Sequence, residues 1–521
     1  MHVAFRVDAS IDIGTGHVMR CLTLATALRE RGATCVFLCR PHEGHLLDLL
    51  RGKGFRALEL SRPEMLDDDD RNDDPPHAAW LGGDWAEDSR DSLDALTEHA
   101  VGAEVDCLVV DHYALDARWE KALRPVCKRL MVIDDLADRP HDCDLLLDQS
   151  LGREGADYAG LLPPGATTLL GPRYALLRPE FAHLRAESLA RREQAGGLRK
   201  LLVTMGGVDK DNTTGKVLEA LTGCALPDEV EITVVMGPHA PWLDKVRAQA
   251  AAMKIPTEVL VGVSDMANLM VESDLAIGAG GATTWERCCV GLPSIIVATA
   301  ANQAGIAEAM VEAGASLDPG PVSAEAFTQG LKRALTDAQD PARLAALSEA
   351  AAGICDGDGG GRVLARLMSA PPIFRVAVRA DSRRIWEWRQ STNSAFRMCR
   401  EETSYKTHDD WFLSALDAPE RVIRILMLGD FPCGYLRLDR AGSTHARVSV
   451  CLSPEVQGRG LGHELLAEAK KLGRTLSLER LDAEIHPDNT ASRRLFVSAG
   501  YEQGLVSEEF LTFHRNFEGA S

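Results

Sequence analysis

Three stretches of this sequence combine side chains and backbone able to do chemistry. The first is the turn Ile13-Gly14-Thr15-Gly16-His17. Glycines at Gly14 and Gly16 let the backbone come close to a ligand, and a helix starting there offers unpaired N–H groups. His17 falls in the first turn, with Arg20 three residues on and on the same face. A helix start and a neighbouring cation both disfavour imidazolium, so His17 reads as a neutral imidazole able to take a proton. The second stretch is Gly278-Ala279-Gly280-Gly281-Ala282-Thr283-Thr284-Trp285-Glu286. Its small residues expose backbone donors at a strand-to-helix turn, which suits an anion over Gly280, Gly281, Ala282, Thr283 and Thr284. A helix dipole contributes only ~0.3–2 kcal/mol, so a diphosphate would need anchoring through its nucleoside, with Glu286 accepting from ribose hydroxyls. The loop matches neither GxxxxGK[ST] nor GxGxxG. Two further loops, Gly206-Gly207-Val208-Asp209-Lys210-Asp211-Asn212-Thr213 and Thr299-Ala300-Ala301-Asn302-Gln303, follow apolar strands and bring polar groups to the same sheet edge. The third stretch runs from Val448 through Val450, Leu452 and Gln457-Gly458-Arg459-Gly460-Leu461-Gly462. A strand there leads into a glycine-rich helix start, a second anion cradle suited to a pyrophosphate. No CxxC pair and no Cys/His cluster has metal spacing, so no metal is expected.

These stretches need elements to hold them. The first 190 residues alternate strand-like and helix-like segments: strands at 3–7, 34–39, 106–111, 130–133 and 145–147, and a helix over 17–30. After a polar helix-like stretch at 182–197, a second block repeats the pattern, with strands at 200–203, 231–235, 257–260, 275–277 and 294–297. Helices there begin near Thr213, Trp242, Met266, Thr283 and Gln303. Apolar strands alternating with helices imply parallel sheets covered on both faces, and two such halves leave a cleft for ligands. Gly353–Gly361 and Pro371-Pro372 read as a linker. Beyond them come consecutive strands at 374–378, 421–428, 435–439 and 446–452. A helix at 460–472, a strand at 481–485 and a helix at 491–499 complete a smaller α/β domain. The expected domains are 1–190, 191–370 and 371–521. The acidic run Leu66–Pro76 reads as a solvated loop, because consecutive acids repel.

Composition bounds the function. The chain has 521 residues, a formal net charge of −20 and 13 cysteines. That acidity disfavours nucleic acid or an anionic bilayer as partner, leaving a small anion in a local pocket. The odd, scattered cysteines suit buried thiols. MHVAFRVDAS is not a secretory leader, since Arg6 and Asp8 interrupt it, and no run has the ~18 apolar residues of a membrane span. A cytoplasmic protein is expected; the oligomeric state is not legible.

The segments FRVDASIDIGTGHVMRCLTLA, VVDHYALDARWE, IDDLADRPHDCDLLLDQ, YALLRPEF, GGVDKDNTT, GAGGATTWE and ATAANQ, in that order, resemble the UDP-sugar hydrolase of pseudaminic acid biosynthesis (the PseG type) over roughly residues 1–350. The resemblance implies a GT-B-like pair of Rossmann-like domains that removes UDP, without a metal, from UDP-2,4-diacetamido-2,4,6-trideoxy-β-L-altropyranose. It makes His17 the base that deprotonates water and has Asp8 orient that imidazole or bind the sugar. Tyr113 and Asn302 match positions of the sugar site, and the Gly280–Glu286 turn holds UDP. For Tyr174 and Arg178, packing and surface roles stand equally.

The third domain resembles the GNAT N-acetyltransferases. Gln457–Gly462 would hold the acetyl-CoA pyrophosphate, and His486-Pro487-Asp488-Asn489-Thr490-Ala491-Ser492 would set Asn489 and Ser492 near the pantetheine arm. Phe496 stands where many of these enzymes carry an acidic tyrosine, which leaves Tyr501, a water or the amine's own proton as the acid. Trp386-Glu387-Trp388-Arg389 and His408-Asp409-Asp410-Trp411-Phe412 resemble the pseudaminic acid acetyltransferase (PseH type), or are core packing. Together the resemblances imply a bifunctional enzyme of flagellin glycosylation: acetyl transfer to the 4-amino group of UDP-4-amino-4,6-dideoxy-N-acetyl-β-L-altrosamine, then hydrolysis. A GT-B glycosyltransferase using a UDP-sugar and a non-catalytic UDP-sugar-binding scaffold are the competing readings.

Overall fold

The computed structural model describes the chain apart from residues 62–73, 100–104, 195, 239, 300, 323–325, 369–371, 392–403, 507–509 and 518–521. Two compact units result, Met1–Gly360 and Gly361–Ser521. The division lies ahead of the boundary expected at 370. Most of the acidic run at 66–76 falls outside the described residues, and Asp74 at its end pairs with Arg118 at 3.1 Å.

The first unit holds two parallel sheets. β1 (His2–Val7), β2 (Thr34–Cys39), β3 (Arg56–Glu59), β4 (Cys107–Asp111), β5 (Leu130–Ile133), β6 (Leu145–Asp148) and β7 (Thr167–Leu170) pair in the order β3-β2-β1-β4-β5-β6-β7. β8 (Lys200–Thr204), β9 (Glu231–Met236), β10 (Thr257–Val261), β11 (Leu275–Ala279), β12 (Ser294–Val297) and β13 (Ser316–Leu317) pair as β10-β9-β8-β11-β12-β13. β4, β5, β6, β11 and β12 are buried along their whole length, as strands covered by helices on both faces must be. Strand order reverses between β1 and β4 and again between β8 and β11, and ligands gather where loops diverge at such points. β3, β7 and β13 were not anticipated from sequence. They are short edge strands whose residues lack a long apolar run.

The second unit is one mixed sheet. β14 (Pro372–Val376), β15 (Arg421–Leu428), β16 (Phe431–Arg440), β17 (His445–Leu452), β18 (Arg480–Ile485), β19 (Glu502–Val506) and β20 (Leu511–Asn516) pair as β14-β15-β16-β17-β18-β20-β19. β17 and β18 are its parallel pair, and they bond only over His445–Arg447 before parting. The polar hairpin of β19 and β20 and the helices Ser382–Ser391 and Tyr405–Asp417 escaped the sequence reading.

The expected linker is ordered instead. Helix Pro341–Ile354, which includes Gly353, is followed by helix Gly359–Leu367, which includes Gly359, Gly360 and Gly361. Gly357 takes φ +86° and lies so near Cys289 and Ala182 that a side chain would collide with both. Here glycine permits close packing rather than flexibility. The described cysteines are free thiols, and most are buried. Among the described residues no helix is long and apolar enough to cross a membrane.

Candidate active sites

The topology of the first sheet explains why two residues 94 apart in sequence meet. Helix Gly16–Glu30 follows β1, and Asp111 is the last residue of β4, aligned with Val7 of β1. Between strand and helix the chain turns through Gly14, at φ +80°, while Ser10 accepts from the N–H groups of Asp12, Ile13 and Gly14. A side chain at Gly14 or Gly16 would meet nothing within 4 Å, so this turn leaves open space above the helix start.

His17 Nδ1 lies 2.6 Å from Asp111 Oδ1. Arg20 forks onto the same carboxylate, Nε to Oδ2 at 2.6 Å and Nη2 to Oδ1 at 2.7 Å, and reaches Asp135 with Nη1 at 2.6 Å. Asp111 is fully buried. Burial alone would push its carboxyl up, but Arg20 and His17 overcome that and hold it well below the usual carboxylate range. An ionised carboxylate only accepts, so the proton belongs on His17 Nδ1 and the lone pair on Nε2. Arg20 Nη2, at 3.3 Å from Nδ1, is then a cationic neighbour rather than a donor to it. The resulting group is a His–Asp pair with a basic nitrogen facing away from its carboxylate.

The orienting carboxylate is therefore Asp111, not Asp8. Asp8 is buried among Arg6 (2.7 Å), His112 (3.2 Å), His42 (3.5 Å) and the Arg40 backbone N–H (2.7 Å). So enclosed, it is a structural anion at the end of β1. Tyr113 does join the site: its ring packs edge-on to His17 at 4.6 Å and its hydroxyl donates to Asp135 at 2.8 Å. Sequence reasoning missed His77 and Trp80, which stack with Tyr113 at 5.5 and 5.8 Å. The signal present was two aromatic rings at i, i+3 just after the acidic run.

The second half supplies the other wall. Lys210 pairs with Asp12 at 2.6 Å, and a side chain on Gly207 would come within 3.8 Å of Thr15 Oγ1, so these two loops meet. Gly206, at φ +90°, turns the chain there. Asp209 corrects the sequence reading. Its two oxygens accept from the N–H groups of Thr213 and Thr214 at 2.8 and 2.9 Å, capping helix Thr213–Leu221 and consuming the donors an anion would need. Thr213 is buried, and Asn212 adopts φ +53° to make the turn. Asp209 and Thr213 are thus committed to the helix start.

Around the Gly278–Glu286 loop, Gly281 has open space and Gly280 packs against Gln303 and Ile296. Ala282 is exposed and Thr283 half-buried, whereas Thr284 is buried. Glu286 is 15% exposed and lies 3.4 Å from Arg178, which also meets Glu180 at 3.2 Å. Burial pushes the Glu286 carboxyl up, and Arg178 only partly offsets this. Tyr174 is packed in the interior. Gln303 is spent locally, its oxygen accepting from the Thr299 N–H and hydroxyl at 3.0 and 2.9 Å. Asn302 lies in helix Ala301–Glu312, but its side chain is outside the described residues.

In the second unit, β17 leads through Pro454–Val456 to Gly458 (φ +76°) and Gly460 (φ +79°), and helix Leu461–Thr475 starts with no side-chain cap. Side chains at Gly458 or Gly460 would meet nothing within 4 Å, so the backbone there is open to a ligand. Gly462 is instead a packing glycine against Leu495, and Leu461 is buried. Val450 and Leu452 lie on β17 beyond the point where β18 leaves it, with Gln457 donating to the Leu452 carbonyl at 3.2 Å. An uncapped helix start, open glycines and an unpaired strand edge fit a pyrophosphate with an extended arm.

Two expected ligands there do other work. Arg459 donates to the carbonyls of Ala365 and Met368, satisfying the end of helix Gly359–Leu367. Asn489 caps helix Thr490–Ser498, accepting from the Ser492 N–H at 2.9 Å. Tyr501 is buried in the core beside Phe496 at 4.9 Å, not lined up on the open edge of β17. Trp388 and Phe412 are core residues, and His408 is held by the Ser382 carbonyl. Trp411 differs: Arg437, Arg389 and Arg421 lie over its ring at 5.0, 5.9 and 5.9 Å.

The family model described as acetyltransferase (GNAT) matches residues 384–501. The spore coat polysaccharide biosynthesis protein SpsG of Bacillus subtilis is 30% identical over 321 residues, covering 61% of this chain and 84% of that protein. The UDP-2,4-diacetamido-2,4,6-trideoxy-beta-L-altropyranose hydrolase of Campylobacter jejuni is 25% identical over 278 residues, 53% of this chain and 84% of that one. An uncharacterised protein of Methanocaldococcus jannaschii, MJ1062, is 24% identical over 303 residues, 57% of this chain, which spans 55% of that protein. Among solved structures, MurG of Acinetobacter baumannii shares the fold at a TM-score of 0.50 and 16% identity, over 70% of this chain and 98% of its own. The chain belongs to the SpsG family, a PseG-like UDP-sugar hydrolase homologue of MurG-like GT-B fold that carries a GNAT acetyltransferase domain at its C-terminus.

Proposed function

We propose that the first unit hydrolyses UDP-2,4-diacetamido-2,4,6-trideoxy-β-L-altropyranose to UDP and the free sugar. The second unit makes that substrate by acetylating the 4-amino group of UDP-4-amino-4,6-dideoxy-N-acetyl-β-L-altrosamine. These are consecutive steps toward pseudaminic acid for flagellin modification, carried out in the cytoplasm. The observation that carries the hydrolysis is the 2.6 Å contact of His17 Nδ1 with buried Asp111, which leaves Nε2 as a base. Nε2 takes a proton from water, the oxygen attacks the anomeric carbon, and the bond from that carbon to the diphosphate oxygen breaks with its electron pair leaving on UDP. Asp111 steadies the imidazolium so formed. Tyr113 and Trp80 wall the sugar side, and Glu286 accepts from the ribose.

In the second unit the open backbone at Gly458 and Gly460 and the free edge of Val450–Leu452 would hold acetyl-CoA, which supplies the acetyl group as a thioester. Among the described residues no group of three or more His, Cys, Asp and Glu could hold a metal ion.

The test is product analysis in ¹⁸O-water with the UDP-4-amino sugar and acetyl-CoA. The expected products are CoA, UDP without label, and the diacetamido sugar labelled at its anomeric oxygen. UDP release that requires an added acceptor would make the first unit a transferase, and binding without turnover would make it a scaffold. Equal kcat/KM for hydrolysis of the 4-amino and 4-acetamido sugars would refute the order of steps, because a site shaped for an acetamido group leaves polar groups unmatched by an amine.

A further inference from the structure

Three buried guanidinium groups of the first unit are matched by carboxylates. Arg6, Arg20 and Arg40 each meet carboxylates within 3 Å. Arg192 has no carboxylate but gives its nitrogens to the carbonyls of Val290, Ser273 and Met270. Arg287 is different. It is completely buried, and no described carboxylate forms an ion pair with it. Its Nη2 donates to the Ala279 carbonyl at 3.0 Å and Thr284 Oγ1 at 3.1 Å, its Nη1 reaches Thr283 Oγ1 at 3.3 Å, and its Nε has no partner. Burial pushes this guanidinium down to about 10, and Cys288 and Glu286 offset it only in part.

The loop is built around it. A side chain at Gly278 would come within 2.5 Å of Arg287 Nη1, so that glycine keeps the space the guanidinium occupies. A guanidinium has donors only, so both threonine oxygens accept from it and their own protons are free to point elsewhere. The Thr284 hydroxyl is buried and directed at the Ala279 carbonyl at 3.5 Å. Thr283 is half-buried at the loop surface, and its hydroxyl proton is available to an arriving acceptor.

We propose that Arg287 is a built-in counter-charge for the diphosphate of a nucleoside diphosphate, acting on it through the Thr283 hydroxyl. An unpaired buried charge is costly to keep, and an anion arriving at the loop is what would offset it. A hydroxyl that accepts from a cation donates more strongly in turn. Arg287 is thus a positioning residue beneath the ligand, doing by charge what a divalent cation does elsewhere. This inference rests on the reading of the Gly278–Glu286 loop as the UDP site.

The test is calorimetric binding of UDP and of uridine to the full chain and to Arg287→Met, Arg287→Lys, Thr283→Val and Gly278→Ala. Any site on the second unit is common to all five proteins. In Arg287→Met, UDP should bind about 10- to 100-fold more weakly, the loss of one charge-assisted interaction, while uridine changes less than twofold. Arg287→Lys should recover part of the loss. Thr283→Val and Gly278→Ala should weaken UDP selectively. An Arg287→Met protein that keeps its UDP affinity, or loses UDP and uridine equally, overturns the assignment. Should that variant fail to fold, undiminished UDP binding by both Thr283→Val and Gly278→Ala overturns it. A wild-type chain that binds no UDP refutes instead the underlying reading of the loop.

Discussion

Replacing Asp111 by asparagine tests the His–Asp pair at its joint. The carboxylate accepts from three N–H groups: His17 Nδ1 and Arg20 Nη2 on one oxygen, Arg20 Nε on the other. An amide has only one accepting atom. If its NH₂ faces His17, it donates to Nδ1 and drives the proton to Nε2, which removes the base. If the NH₂ faces Arg20 Nε, two donors collide, and the charge that steadies the imidazolium is gone. Either orientation costs most of the general-base contribution, about 10²–10⁴ in kcat, or roughly 3–5 kcal/mol of barrier. Stability should fall less, by about 1–3 kcal/mol, because Arg20 keeps Asp135 at 2.6 Å. The assay is UDP release from the diacetamido UDP-sugar, with thermal unfolding and UDP binding measured on the same preparations. The Asp111→Asn/His17→Ala double variant should be no slower than His17→Ala alone, since both changes remove one function. A folded Asp111→Asn protein whose kcat stays within about fivefold of wild type would refute the tautomer argument.

Four further outcomes are expected. Burial raises the Glu286 carboxyl, so between its unfolded and folded values the folded state binds the extra proton and stability declines as pH rises through that window; Glu286→Gln should therefore melt no lower than wild type at pH 7 while binding UDP more weakly, and a lower melting point would contradict the sign. Asp111 is shifted the other way, so its stabilisation is present above the unfolded carboxylate value of about 4 and lost as pH falls further, and Asp111→Asn should flatten the acid limb of a stability–pH curve. A C-terminal piece beginning at 371 lacks Ala365 from its core and the carbonyls that hold Arg459, so it should melt at least about 5 °C below one beginning at 356. Gly460→Val should block acetyl transfer through the strain of φ +79° rather than through a clash, and should leave hydrolysis of the already acetylated sugar unchanged.

The sheets were legible in the sequence because their strands are buried, apolar and separated by helical spacing. The edge strands β3, β7 and β13 were not, since edges need no continuous apolar run. Glycines were legible as positions of special backbone but not as to purpose. Gly14, Gly206, Gly458 and Gly460 make turns, Gly278, Gly357 and Gly462 make room for neighbours, and both kinds look alike in a sequence. Asn489 stands immediately before a helix and Asp209 four residues before one, and a capping aspartate or asparagine looks the same in a sequence as one that binds a ligand. Asp111 was hidden for a different reason. Its partner His17 is 94 residues away, and only the strand order, with β4 beside β1, brings them together. Nothing local distinguishes that aspartate from Asp8, which directly follows strand β1.

The two halves of the first unit handle buried charge in different ways, and the proposed hydrolysis of a nucleotide sugar would make use of the difference. In the first half, Arg6, Arg20, Arg40 and Arg139 are each balanced by aspartates, so the field around His17 is set by one carboxylate at 2.6 Å. In the second half, Arg287 has no carboxylate ion pair among the described residues and lies under the loop proposed to hold the diphosphate. As the bond to the sugar breaks, positive charge develops on the imidazole and negative charge on the diphosphate. A fixed anion behind the first and a fixed cation behind the second match that separation before any substrate arrives, and groups already oriented need no reorganisation when the charge appears. The Asp12–Lys210 pair at 2.6 Å and the approach of Gly207 to Thr15 join the turn before His17 to the second half. A single core would have to hold both poles, the Arg20-paired Asp111 and Arg287. Placing them on separate sheets lets each core keep its own balance while the reaction spans the space between.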